Sequence, residues 1–208
     1  LFLGENEDAL IQKVKKGGAE IIRCSEKVFH KVSYRDRPDG LLAEAKMMKK
    51  ELSALQKTKH PLFVVDEHIE KPGNLGTILR CADAAGANGV IVADRCTDIY
   101  NPNVVRASVG TLFTLPVVET SSEEAISWLK KNGVHILAAT PHAKKLYTEV
   151  DMKAPLVIVV GAEQVGLSDV WMKEADLQVR IPMHGVADSL NVAMATTILL
   201  FEAVRQRA

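Results

Sequence analysis

From residue 60 onward, the chain alternates short apolar runs with stretches of helical character. Some runs, such as residues 156–160, are almost wholly branched and apolar, which is typical of strands covered on both faces. Six strands are predicted, at residues 62–66, 89–93, 114–118, 135–140, 156–160 and 177–181. Five helices are predicted, at residues 75–85, 104–109, 122–131, 168–174 and 189–207. The alternation predicts an α/β domain over residues 60–208, with a mainly parallel sheet and helices on both faces.

Residues 1–59 have a different pattern, which predicts a small, separate α/β domain followed by a linker. Helices are expected at 7–16 and 26–33, with Ser25 as the N-cap of the second. Short strands are expected at 21–22 and 40–45, and a linker or helix at 46–57. Because the chain begins with Leu1 and not with Met, this domain is expected to be incomplete.

The charge is balanced overall but not along the chain. There are 26 Lys or Arg and 26 Asp or Glu. Residues 1–60 hold 13 basic against 9 acidic side chains, a net +4, and the remainder holds 13 against 17, a net −4. Two interpretations stay open: a solvated helical surface, or a basic appendage that contacts a phosphate backbone.

Cysteine content and hydropathy indicate the cellular compartment of the protein. The three cysteines fit neither a disulfide framework nor a metal-ligand spacing, which favours a reducing cytoplasm. No apolar run reaches the roughly 18 residues that a membrane span requires. We therefore expect a cytoplasmic protein with no metal and no membrane partner.

Unusual residues cluster in the loops that follow the predicted strands, where open parallel sheets bind ligands. The loop GAEQVGLS at 161–168 carries Gly161 and Gly166, with Glu163 between them. Glycine allows the backbone to approach a ligand closely. The spacing is neither GxGxxG nor a phosphate-binding loop, which argues against a dinucleotide or ATP site.

Two other segments hold polar residues at helix starts. Asn74 lies near one helix N-terminus, with Arg80 about two turns further on, and Ser189 and Asn191 lie where the last helix is predicted to begin. Taken singly, Asn74 and Ser189 would be N-caps and Arg80 a solvated cation. No Ser-His-Asp or Cys-His arrangement is evident, so a hydrolytic triad is unsupported.

Taken together, these segments resemble the SpoU family of ribose methyltransferases, within the SPOUT superfamily. The resemblance covers residues 60–208. It rests on NLGTILR at 74–80, GAEQVGLS at 161–168, IPM at 181–183 with SLNV at 189–192, and the linking segment NPNVVRASVG at 101–110. Residues 1–59 resemble the later part of the small substrate-binding domain that often precedes the catalytic domain in members acting on ribosomal RNA.

The resemblance implies a C-terminal deep trefoil knot, whose loops form a pocket for the methyl donor S-adenosylmethionine. It also implies a homodimer formed through the knotted domain. The implied cofactor-binding residues are Thr140, Gly161, Ala162, Gly166, Ile181, Met183, Ser189 and Leu190. No metal is implied.

The implied reaction is methyl transfer to a ribose 2′-hydroxyl of RNA, with ribosomal RNA favoured over transfer RNA. The implied catalytic residues are Arg80, Asn74, Glu163, Ser189 and Asn191. Because a guanidinium stays protonated in proteins, we expect Arg80 to position the ribose or its phosphate and to stabilise oxyanion charge. Two alternatives stay open. One is a non-catalytic RNA-binding or ribosome-assembly protein on the same fold, and the other is a Rossmann-type oxidoreductase, for which the glycine fingerprint is missing.

Overall fold

The computed structural model describes residues 5–34, 40–55 and 58–208. Its contacts divide the chain into two compact units, Leu1–Met47 and Met48–Ala208. This division falls earlier in the chain than the predicted boundary between residues 59 and 60. The reason is that Leu55, within the predicted linker, is buried in the core of the second unit. Residues 56 and 57 of that linker lie outside the described residues.

The regular structure in the described part of the first unit consists of two helices. Helix α1 spans Glu5–Lys16 and helix α2 spans Glu26–Val32. Ser25 is the N-cap of α2, as predicted, and its Oγ accepts a hydrogen bond from the Val28 N–H at 3.4 Å. The predicted strands at 21–22 and 40–45 are wrong, because both segments have irregular backbone. Their apolar residues, including Ile22 and Leu42, are exposed, and the described part of this unit contains no strand that could pair with them.

The second unit contains most of the regular structure. The strands are β1 Leu62–Glu67, β2 Gly89–Ala93, β3 Val117–Thr120, β4 His135–Ala139, β5 Lys145–Leu146, β6 Leu156–Val160 and β7 Leu177–Arg180. The helices are α3 Pro72–Ala84, α4 Pro102–Ser108, α5 Thr111–Thr114, α6 Ser122–Lys131, α7 Asp169–Glu174 and α8 Val192–Arg207. Short 3₁₀ helices occur at Leu52–Ala54 and Tyr147–Glu149. None of the helices in the described residues is long and apolar enough to cross a membrane.

The seven strands form one parallel sheet in the order β3-β2-β1-β6-β4-β7-β5. The prediction of a parallel α/β sheet is therefore confirmed. The third strand begins later than predicted, because Thr114 ends a short helix and the intervening Pro116 has no N–H to donate. The two-residue edge strand β5 was not predicted, since it is too short to show a pattern.

Alternate strand residues bury against two different helical layers. Val64, Val90 and Ile158 belong to a core cluster with residues of α3 and α8. Phe63 and Val157 belong to the opposite cluster, with residues of α6 and with Trp171 of α7. The continuous apolar runs are explained by this double burial, and the prediction of helices on both faces is confirmed. The carboxyl ends of the strands consequently open onto loops held between two rigid layers.

Candidate active site

A cavity of about 510 Å³ lies beyond the carboxyl ends of β4, β6 and β7. The loops that follow these strands form its wall, together with the start of α8. The structure places all eight predicted cofactor-binding residues in the lining: Thr140, Gly161, Ala162, Gly166, Ile181, Met183, Ser189 and Leu190. Side chains that are far apart in sequence thus enclose one space, because parallel strands end at the same edge of a sheet.

The loop after β6 closes on itself and forms one side of this cavity. The Gly166 N–H donates to the Ala162 carbonyl at 2.9 Å, and the two residues form an isolated antiparallel bridge. Gly166 has a φ of +71°, a conformation that favours glycine. A Cβ on Gly161 would lie 2.4 Å from both the backbone carbon and oxygen of Gly166. Both glycines are therefore required by the tight turn, and they leave a wall made largely of backbone.

A polar cluster formed by Lys71, Asn74, Glu163 and Asn191 lies beside the cavity. The Asn74 Nδ2 donates to Glu163 Oε1, and Lys71 forms an ion pair with Glu163. The Asn191 Nδ2 lies 3.2 Å from both Glu163 Oε1 and Asn74 Oδ1. The carboxylate of Glu163 thus holds together three segments of the chain, the start of α3, the loop after β6 and the start of α8.

Local backbone structure orients the two asparagines of this polar cluster. Helix α3 begins at Pro72, so Asn74 lies inside its first turn and is not an N-cap. Its amide is therefore available to Glu163. Asn191 is the N-cap of α8, since its Oδ1 accepts the Ala193 N–H at 3.0 Å while its Nδ2 faces Glu163 and Asn74.

Lys71 is the member of the polar cluster for which the sequence predicts no role. It immediately precedes Pro72 in the loop after β1, and its charge balances that of Glu163. The available signal was a basic residue three positions before Asn74. Nothing in the sequence linked it to a carboxylate 92 positions away.

Two predicted catalytic residues stand apart from this cluster. The Ser189 hydroxyl donates to Asp188 at 3.1 Å, and Ser189 lies ahead of α8 and does not cap it, so its interpretation as an N-cap is wrong. Arg80 is exposed on α3, and its side chain forms no hydrogen bond or ion pair with any described residue. The structure therefore joins Asn74, Glu163 and Asn191 directly, and leaves the guanidinium of Arg80 free to meet a ligand.

A buried carboxyl lies in β1, the strand that precedes α3. Asp66, near the end of β1, is fully buried, and this burial raises its pKa to about 8. The Ile69 N–H opposes the shift, although its geometry falls short of a regular hydrogen bond, and neither oxygen of Asp66 has another partner among the described residues. At neutral pH Asp66 is thus mostly uncharged and adds little charge to the site.

The fold and the cavity define a parallel α/β protein that binds a small ligand at the carboxyl edge of its sheet. Residues 61–201 match the model of the SpoU rRNA Methylase family. The chain belongs to this family, and the resemblance noted in its motifs is confirmed.

Several characterised proteins are similar to this chain. It is 36% identical over 178 residues to a 23S rRNA (uridine(2479)-2'-O)-methyltransferase of Streptomyces viridochromogenes, covering 83% of this chain and 62% of that protein. It is 35% identical over 204 residues to the 23S rRNA (guanosine-2'-O-)-methyltransferase RlmB of Shewanella oneidensis, covering 95% and 83% respectively. The crystal structure of an AdoMet-bound rRNA methyltransferase from Sinorhizobium meliloti matches with a TM-score of 0.83 and 37% identity, over 87% of this chain and 70% of that one. The chain thus spans less than two thirds of the length of the Streptomyces relative.

Proposed function

We propose that this protein is an S-adenosylmethionine-dependent methyltransferase that modifies a ribose 2′-hydroxyl of ribosomal RNA. The observation that carries the proposal is the juxtaposition of two features. The cavity lined by the predicted cofactor-binding residues lies directly beside the polar cluster around Glu163. The methyl donor and the acceptor nucleotide can therefore bind next to each other. Such alignment of two reactants supplies a large part of the rate enhancement of an enzyme.

The cavity fits the proposed cofactor. Its volume of about 510 Å³ is within the range of small-molecule sites. The backbone of Gly161, Ala162 and Gly166 would hold the polar parts of the ligand, and Ile181 and Leu190 would cover its apolar surface. Side chains at the two glycines would obstruct this cradle. When bound, S-adenosylmethionine supplies a methyl group activated by a positively charged sulfonium.

The residues of the chain have to stabilise the negative charge that develops as the attacking hydroxyl loses its proton. A ribose hydroxyl is a poor acid, so developing negative charge on its oxygen needs stabilisation. Arg80 is exposed and unpaired among the described residues, so its guanidinium can bind the ribose oxygen or an adjacent phosphate. Asn74, Glu163 and Asn191 keep the start of α3 in place, and Ser189 contributes its hydroxyl at the cavity.

Replacement of Arg80 tests this division of roles. We expect Arg80→Ala to reduce methyl transfer by roughly 100-fold or more, in line with the loss of a preorganised charge at a transition state. Donor affinity, measured by calorimetry, should stay within about twofold, because Arg80 does not line the cavity. Arg95→Ala is the matched control, since Arg95 is an exposed arginine paired with Glu119 at 2.8 Å. Near-normal turnover by Arg80→Ala would remove this residue from the mechanism.

The RNA target follows from the relatives and from the proposed first domain. Both curated relatives described above are named as 23S rRNA methyltransferases. We infer that residues 1–59 belong to an RNA substrate-binding domain and residues 60–208 form the knotted catalytic domain, with the protein working in the cytoplasm.

Labelled methyl transfer to unmodified ribosomal and transfer RNA, followed by nucleoside mapping, tests the proposed RNA target. A 2′-O-methyl nucleotide in ribosomal RNA is expected. Label in transfer RNA alone would overturn the target, and absence of donor binding would favour a non-catalytic RNA-binding protein.

We also infer a homodimer formed through the catalytic domain. Helix α8 buries Leu199, Leu200 and Ala203 in the core, yet Met194 and Phe201 on the same helix are 62% and 46% exposed. These two residues are seven positions apart, so they lie on one face of the helix. An apolar strip of this kind on a surface helix is typical of a contact with another protein surface. The family resemblance indicates a second copy of this chain.

A further inference from the structure

A second group of chemically active side chains lies at the carboxyl ends of β1 and β2, outside the proposed donor cavity. Glu67 ends β1, His68 follows it, and Asp94 follows β2. Each offers one potential ligand atom, and these atoms all lie within 4.8 Å of one another. The His68 Nδ1 is 3.7 Å from Glu67 Oε1, which is too far for a regular hydrogen bond.

One oxygen of Glu67 is buried without compensation. The Glu67 side chain is only 1% exposed. Its Oε2 accepts a hydrogen bond from the Ser168 N–H at 2.8 Å. Its Oε1 is fully buried and accepts no hydrogen bond from any described residue. A carboxylate oxygen held away from water costs free energy unless a donor or a cation faces it, and this oxygen is the one that faces His68.

The backbone holds the other two residues in place. His68 and Asp94 have φ values of 54° and 47°, which non-glycine residues rarely adopt. The His68 N–H donates to the Ala93 carbonyl at 3.2 Å, and the Asp94 N–H donates to the Thr120 carbonyl at 3.0 Å. Asp94 Oδ2 also accepts the Ser122 N–H at 3.2 Å. These contacts extend the sheet ladder, so all three side chains are positioned by rigid elements.

The nearby basic side chains have other partners. Arg95, next to Asp94, pairs with Glu119 at 2.8 Å. Lys71, in the loop after β1, pairs with Glu163. Among the described residues, no lysine or arginine forms an ion pair with Glu67 or Asp94. Two carboxylates and an imidazole therefore share a small volume with no fixed positive charge.

We propose that Glu67, His68 and Asp94 form a binding site for a divalent transition metal ion of the Zn²⁺ type. Imidazole nitrogen with carboxylate oxygen suits Zn²⁺ and its first-row neighbours, whereas Mg²⁺ and Ca²⁺ prefer oxygen alone. Ligand bonds of about 2.0–2.2 Å allow ligand atoms on one ion to lie up to about 4.4 Å apart. The present separations require only small side-chain rotations. The His68 side chain is 46% exposed, so an ion can enter from solvent.

The site departs from the expectation that no metal is bound. That expectation rested on ligand spacing along the chain, and Glu67 and Asp94 come from two different strands. Their proximity results from the pairing of β1 with β2, in which Glu67 lies opposite Ala93. The proposal does not depend on the methyltransferase activity, because the reaction described above uses none of these three residues.

Calorimetric titration of the chelator-treated, untagged full chain with Zn²⁺ tests the proposal. One ion per chain is expected to bind, and Co²⁺ should give a visible absorption spectrum at the same stoichiometry. His68→Asn removes the imidazole while tolerating the left-handed backbone, and it should weaken Zn²⁺ binding by at least about tenfold. His135→Asn is the matched control, because His135 is an exposed histidine 3.9 Å from a single carboxylate, Asp176. It should leave the affinity unchanged.

A second variant separates the loss of a metal ligand from a loss of the fold. Asp94→Asn keeps an oxygen for the Ser122 N–H and removes one anionic ligand. It should also weaken Zn²⁺ binding by about tenfold or more, and circular dichroism should show an unchanged fold. Absence of stoichiometric binding, or equal affinity in His68→Asn and the unchanged chain, would overturn the proposal. Equally strong competition by Mg²⁺ would overturn the assignment to a transition metal.

Discussion

At the scale of single residues, Glu163 organises the proposed active site. Its carboxylate receives hydrogen bonds from the amides of Asn74 and Asn191 and pairs with Lys71. Exposed ion pairs contribute at most about 1 kcal/mol to stability, so the pair with Lys71 adds little. The two amides matter more for the geometry, because through Glu163 they join the start of α3 to the start of α8. The value of Glu163 lies in geometry, because it connects three segments that the chain brings together only in the folded state.

Gly161 provides a sharp test at this scale. Gly161→Ala would place a Cβ 2.4 Å from the Gly166 backbone, so the loop after β6 must move. We expect donor affinity to fall by at least about tenfold, which corresponds to roughly 1.4 kcal/mol, as measured by calorimetry. Gly185→Ala is the control, because a Cβ at this position in the loop before α8 meets nothing within 4 Å. Unchanged donor binding in Gly161→Ala would show that this loop is not part of the cofactor site.

At the scale of elements, helix α3 connects the site to its support. Its first turn carries Asn74, and two residues later Gly76 lets the helix pack closely against α4. A Cβ on Gly76 would lie 2.6 Å from both the Ala107 Cβ and the Val104 carbonyl oxygen. The glycine of the NLGTILR motif therefore serves helix packing, and the segment at 101–110 provides the helix against which α3 packs.

Substitution of Gly76 should separate the two helices. Gly76→Ala is expected to lower the free energy of unfolding by about 1–3 kcal/mol, since it overpacks a tight contact. Urea unfolding followed by circular dichroism measures the change. Gly73→Ala, in the first turn of the same helix, meets nothing within 4 Å and should be neutral or slightly stabilising. Equal stability of the two variants would contradict the close packing of α3 on α4.

Helix α8 is anchored at its end by a buried carboxylate. Glu202 accepts hydrogen bonds from Arg205 and Gln206, and only 8% of its side chain is exposed. Gln206 also donates to the Val150 carbonyl and accepts the Met152 N–H. The end of α8 is therefore tied through Glu202 and Gln206 to the segment before β6.

Stability should depend on the ionisation of Glu202. Hydrogen bonds from Arg205 and then Gln206 lower its pKa from 4.5 to about 2, so the folded state favours the carboxylate. The resulting stabilisation is fully present above about pH 4.5 and is lost as the pH falls toward 2. Glu202→Gln should therefore be less stable than the unchanged chain at pH 7, and the difference should shrink toward pH 2. Urea unfolding at several pH values measures it, with the exposed Glu123→Gln as the control. A difference independent of pH would contradict the role of the charge.

At the scale of the whole molecule, the basic excess of residues 1–60 is concentrated near their end. Residues 1–47 hold nine basic and eight acidic side chains, a net +1, whereas residues 48–60 hold four and one, a net +3. Most of the excess therefore belongs to the compact unit that carries the cavity. If this charge contacts an RNA backbone, the segment entering the catalytic unit supplies more of it than the first unit does.

Assembly is the other property of the whole molecule. Phe201→Glu would put a charge on the exposed apolar strip of α8, and burying an unpaired carboxylate between subunits is costly. We expect the variant to be monomeric in sedimentation equilibrium at concentrations where the unchanged chain is dimeric. Val186→Glu, a fully exposed position in the loop before α8, is the control and should leave the dimer intact. A monomeric unchanged chain, or a dimeric Phe201→Glu, would contradict the inferred interface.

Much of the architecture could be predicted because local patterns carry it. The strands at 89–93 and 156–160 were predicted to the residue, since burial on both faces demands continuous apolar runs. The pattern failed at 21–22 and 40–45, because these short apolar runs have no partner strand among the described residues of the first unit. It also misplaced the start of α8, because Ser189 and Asn191 are both good N-caps and only the observed hydrogen bonds distinguish them.

The fold class, the family and eight of the residues that line the cavity could be predicted from the sequence, because these depend on hydrophobic period and on motifs at fixed spacing. The contacts between polar side chains could not, because they arise from the tertiary structure. Strand pairing and loop closure bring Lys71 to Glu163 and place Glu67 near Asp94, across long stretches of chain. Such contacts leave no periodic signal, since they depend on where the whole sheet places the ends of its strands.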